Sequence, residues 1–124
     1  MSLWGPRVDA SDLVEVFLFE HDLEQAWAEA NSGGCSSELW LELARKRERE
    51  HPTDAIPIFE EEVERLIVAK RNDAYQEAVE LMAHIGKLMR AAAQPEAFQP
   101  YAAGVRARHK AKRNLVKLLD ARRW

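Results

Sequence analysis

The chain has 124 residues, 47% of them hydrophobic and 31% charged, with a formal net charge of -3. That length suits one domain with a real core, and the composition is that of a folded protein, not a disordered one. A slightly acidic balance excludes any general attraction to nucleic acid or anionic lipid, so such contacts would need a local patch.

Taken in chain order, apolar spacing predicts helices throughout and no alternating strand pattern. Ser11 or Asp12 caps a first helix to about Phe19, apolar nearly all round through Leu13, Val14, Val16, Phe17 and Leu18. Asp22 caps a second, with Leu23, Ala26, Trp27 and Ala30 on one face, and Gly33-Gly34 stops it. Ser36 or Ser37 opens a third, with Leu39, Trp40, Leu43 and Ala44 inward, and Pro52 ends it. Asp54 as cap would place Pro57 in the first turn of a fourth helix striped by Ile56, Phe59, Val63, Leu66 and Ile67. Asn72 or Asp73 opens a fifth on Tyr75, Ala78, Met82, Ile85 and Met89, with Gly86 marking close helix contact. A sixth is expected from about Pro95 through Leu119.

Short connections make neighbouring helices antiparallel, so the expected fold is all-α: about six helices in three stacked hairpins. Three helix starts look alike, "HDLEQAWAEA", "TDAIPIFEEE" and "NDAYQEAVEL". Trp40, Leu43 and Ala44, then Ala55 and Phe59, approximate the tetratricopeptide (TPR) pattern, with Arg47 where an aromatic is usual. The expected architecture is therefore a TPR-like right-handed bundle or short solenoid. Met1-Ser2-Leu3 reads as an appended start and residues 1–7 as a flexible lead into a single domain taken from a longer protein. With one cysteine, no apolar stretch of roughly 20 residues and no cleavable leader pattern, the expected compartment is the cytoplasm and no membrane contact is expected.

Chemistry-bearing motifs are sparse. His21, His51, His84 and His109 lie in separate elements, with no His-x3-His or Cys-x-x-Cys pair, so no metal or cofactor is expected. His51 reads as a turn residue and His109 as partly buried. Cys35 stands at a helix start, where the dipole favours a thiolate, but no base is adjacent and it reads as a small niche-filling residue. The acids of "EEEVE", Glu60, Glu61, Glu62 and Glu64, read as a solvated face with Glu61 paired to Arg65. No phosphate-cradling glycine loop or nucleophile elbow occurs, so no enzyme is expected and no catalytic residue is assigned. The run "RARHKAKRN" is the exception to the acidic balance. On one helix Arg106, Lys110, Arg113 and Lys117 would line a single ridge, a candidate contact for phosphate or an acidic partner. Cations near a helix C-terminus are also favoured by the dipole alone, and no aromatics interleave for base stacking.

The order of segments resembles the C-terminal helical region of bacterial SWIM zinc-finger proteins over roughly residues 20–120. The resemblance rests on Asp22; Gly34, Cys35 and Ser36; Trp40 and Leu43; His51, Pro52 and Ala55; Asn72, Asp73, Ala74, Tyr75 and Ala78; and His109, Lys110, Lys112, Arg113, Leu118 and Leu119. The family's zinc motif, Cys-x-Cys then Cys-x-His, needs more cysteines than this chain has, so zinc is not carried over. What the resemblance implies is a C-terminal interaction scaffold attached to a module that binds DNA or protein.

Two functions follow as expectations. The first is a non-catalytic scaffold that docks a protein partner or the rest of its own chain, with Trp4, Trp27 and Trp124 as anchors. The second is a weak, non-specific nucleic-acid contact through Arg106, Lys110, Arg113 and Lys117. A homodimer through exposed apolar helix surface is a further expectation.

Overall fold

A computed structural model describes residues 9–124. Among the described residues seven α-helices follow one another: α1 (Ser11–Phe19), α2 (Leu23–Gly33), α3 (Ser37–Arg47), α4 (Pro52–Val68), α5 (Asn72–Ala91), α6 (Phe98–Arg108) and α7 (Arg113–Ala121), with a 3-10 turn at Pro95–Ala97. No strand occurs among the described residues.

The local signals act at identifiable atoms. Asp22 Oδ1 accepts from the Gln25 amide at 3.2 Å and Ser36 Oγ from the Leu39 amide at 3.3 Å, so α2 and α3 each begin on a side-chain cap. Gly34, at φ 78°, turns the chain out of α2 in the left-handed region open to glycine. At α1 the expected cap is not the one used. Asp9 Oδ1 accepts from the Ser11 amide, and Ser11 Oγ instead accepts from the Ser36 amide at 3.1 Å, tying the starts of α1 and α3 together. At α4 the helix begins at Pro52 itself. Asp54 therefore sits in the first turn instead of capping it, and Pro57 lies inside the helix.

Each helix from α1 to α5 packs on the next, and α5 then receives both α6 and α7. α3 and α4 are antiparallel: Arg65 near the end of α4 donates to Ser37 Oγ at the start of α3, and Arg47 at the end of α3 reaches Asp54 at the start of α4. Two apolar clusters result. Val14, Leu18, Ala26, Ala30 and Leu43 fill the space between α1, α2 and α3. The larger one runs from Ala44 through Phe59, Val63 and Ile67 to Met82, Ile85, Val105, Leu115 and Leu119. Adjacent residues of α3, Leu43 and Ala44, belong to different clusters, so this helix joins the two cores.

The expected sixth helix is two helices. His109–Lys112 breaks it, and α7 folds back so that Leu115 and Leu119, both fully buried, reach the α5 core. Asn114 Nδ2 donates to Asn72 Oδ1 at 2.9 Å and fixes the start of α7 against the start of α5. Gly86 fulfils its expected role, since a Cβ there would meet the Phe98 ring at 3.2 Å.

Candidate functional site

A hollow of about 490 Å³ lies across α2, α3 and α4. Helical periodicity brings Trp27 and Asn31 from α2, Ser37, Trp40 and Leu41 from α3, and Thr53, Pro57, Ile58, Glu61 and Arg65 from α4 to its walls. Trp27 and Trp40 meet edge to face, with ring centroids 5.8 Å apart and planes at 86°. The guanidinium carbon of Arg47 lies 4.5 Å from the Trp27 ring centroid. That guanidinium is held by Asp54 Oδ2 at 2.9 Å and Glu24 Oε2 at 3.2 Å. Trp27 is therefore both a groove wall and a packed member of the smaller core, not a free anchor.

The rim is acidic. Arg65 is engaged by Glu62 at 3.1 Å and by Ser37 Oγ, which corrects the expected Glu61–Arg65 pair. Glu61 remains exposed, with no ion pair among the described residues. Pro57 has no N–H, so the Thr53 carbonyl four residues earlier lacks its helical donor at the groove wall. A second hollow of about 460 Å³ shares Glu62 and adds Glu48, Glu77 and Glu80, with Arg45 and His84 as its bases. His84 is bonded there to Glu48 at 2.8 Å.

Cys35 lines the groove and is half-buried. Burial, helped by the negative charge of Asp9, pushes its thiol up to about 11. This reverses the dipole-lowered thiolate considered for a helix start, and the group is protonated at neutral pH. The groove offers walls, carboxylates and a carbonyl acceptor: it can hold a ligand by contact and charge. No group of three His, Cys, Asp or Glu residues among those described could hold a metal ion.

The basic run is dispersed by the break between α6 and α7. Arg106 is withdrawn from it, donating to Asp120 Oδ1 at 2.7 Å and from Nε to the Trp124 carbonyl at 3.0 Å. Lys110 lies in the turn while Arg113 and Lys117 are on α7, so the four do not form one ridge. Lys110, Arg113 and Lys117 are exposed without an ion-pair partner among the described residues. Arg106 and Arg108 do lie in the last turn of a helix, but Arg113 opens α7, at the positive end of its dipole. Trp124 packs on Phe98 at 5.0 Å between ring centroids and is covered by Arg122, so its ring is committed to the fold. Trp4 lies outside the described residues.

Reading the acids as a solvated face missed a tertiary clamp. Glu64 accepts from His109 Nε2 at 2.7 Å and from Arg108 at 3.0 Å, tying α4 to the end of α6. Burial raises the Glu64 carboxyl, but the hydrogen bonds and charges of His109 and Arg108 outweigh it and hold the carboxyl below the usual range. The periodic burial expected of His109 was the one signal for this contact, and His109 is indeed buried. Among the described residues α1 exposes Leu13, Val16 and Phe19, the last 85% accessible. Among the described residues no helix is long and apolar enough to cross a membrane. Comparison with protein-family models, with curated proteins and with solved structures gives no match.

Proposed function

We propose that the chain is a non-catalytic helical scaffold that docks a segment of a partner protein, or of its own longer chain, in the α2–α3–α4 groove. The observation that carries this reading is the Trp27–Trp40 corner, two large rings left partly accessible beside Leu41 and Ile58 in a hollow of about 490 Å³. Large aromatics in a concave site supply most of the energy at such interfaces. The alternation of short antiparallel helices supports a TPR-like stack, an architecture whose grooves commonly take peptides or helices. The resemblance of its segment order to the C-terminal region of SWIM zinc-finger proteins supports a scaffold attached to a nucleic-acid- or protein-binding module, and the single cysteine supports a cytoplasmic setting. The test is comparative affinity enrichment with the wild-type chain and with Trp40→Ala. A defined partner retained at moderate salt by the wild type and lost by the variant is expected; equal retention by both would refute groove docking.

A second reading, a weak non-specific phosphate contact, is favoured by the exposure of Lys110, Arg113 and Lys117 without ion-pair partners among the described residues. Arg106 is not free to join them. Electrophoretic titration of duplex DNA at two salt concentrations tests it. A shift at low salt that vanishes at high salt and in the Lys110→Glu, Arg113→Glu, Lys117→Glu variant supports it. No shift at low salt removes it.

A further inference from the structure

We infer that the segment taken by the α2–α3–α4 groove is cationic: a lysine- or arginine-bearing amphipathic peptide whose apolar side chains pack on Trp40 and whose charge meets Glu61. The inference rests on the docking reading and adds the chemistry of the occupant. Three observations converge on it. Of the groove's carboxylates, Asp54 is paired to Arg47 and Glu62 to Arg65, which leaves Glu61 exposed with no ion pair among the described residues. Glu62 also belongs to the adjoining hollow with Glu48, Glu77 and Glu80, so the negative surface continues past the aromatic corner.

The second observation is the Thr53 carbonyl. Its usual donor is removed by Pro57, and both residues line the groove, so the site presents a backbone acceptor suited to an N–H-rich side chain. The third is internal. The protein already seats one guanidinium on a groove tryptophan between two carboxylates, Arg47 on Trp27 between Glu24 and Asp54. Trp40 lines the same groove as Glu61, and among the described residues no cation lies over its ring. Lysine and arginine suit such a place because an aliphatic stem lies on the ring while the charged end reaches the rim.

Cys35 supplies the readout, because it lines the groove and is the one cysteine in the sequence. Its alkylation by iodoacetamide, a neutral reagent, is followed in the full chain with three amphipathic leucine peptides whose polar face is Lys, Gln or Glu. At about 0.15 M salt, where long-range steering is damped, the Lys peptide at ten times its Kd should slow alkylation about tenfold by mass action. The Gln and Glu peptides at the same concentration should leave the rate within about twofold. Glu61→Lys, an exposed substitution, should weaken the Lys peptide by about three- to tenfold, as loss of a rim charge does. Equal protection by the Lys and Gln peptides would overturn the cationic assignment and leave the docking reading intact. Undiminished Lys-peptide protection in Glu61→Lys would overturn it in the same way. No protection by any of the three at millimolar concentration would remove the groove itself.

Discussion

At Glu64 two donors from one turn converge on a single carboxylate. An ionised carboxylate can only accept, so His109 must donate from Nε2–H. Its Nδ1 is buried without a hydrogen-bond partner. Because the Glu64 carboxyl is held below its ordinary value, the unfolded chain binds more protons than the folded one in that acid interval. The clamp's contribution is therefore complete above the usual glutamate range, about pH 4.3, and is lost as pH falls through the lowered value. Glu64→Gln should cost about 1–2 kcal/mol at neutral pH and flatten the acid limb of a urea-midpoint profile. Profiles parallel for variant and wild type would contradict the clamp. Cys35 offers a separate check: its alkylation rate should keep rising with pH up to about 11, where an unburied thiol would level off near 9.0.

Among the elements, α7 shows what an isolated stretch of sequence cannot contain. Nothing in "HKAK" is a helix breaker, so periodicity runs on through it. The chain breaks there because a helix continued to Leu119 would carry Leu115 and Leu119 away from α5, where both are fully buried. The stabilisation lies in that tertiary burial, and Leu119→Ala should cost about 2–5 kcal/mol. Lys117→Ala, on the exposed face of the same helix, should stay within about 0.5 kcal/mol; equal losses would mean that α7 is not docked. Where the breaker is local, the sequence is legible. Gly34 stops α2 at a positive φ, and Gly34→Ala should lower stability by about 1 kcal/mol in urea denaturation. The apolar stripes of α2 to α5, the caps at Asp22 and Ser36 and the contact at Gly86 were likewise readable, since each is written within a few residues. The groove was not, because Trp27, Trp40 and Pro57 lie on three helices and only packing brings them together. Even Trp27, singled out as an anchor, shares its ring between the core and the groove.

For the whole molecule, two apolar clusters are joined through α3. Leu43 and Ala44 face opposite cores, so α3 is fixed from both sides, and Trp40 is carried on that fixed helix. Trp40 thus lines the groove from a helix held in both cores, whereas the apolar residues exposed on α1 and the cations of α7 lie on the first and last described helices. The most direct measurement follows the indole N–H signals of the isotopically labelled chain while the amphipathic Lys peptide is added. The expected result is that Trp27 and Trp40 shift together with the amides of Thr53, Ile58 and Glu61, while Trp124, packed on Phe98, stays in place. Shifts confined to Trp124 and the α7 amides, or to the face of α1 around Phe19, with Trp27 and Trp40 unmoved, would contradict the account.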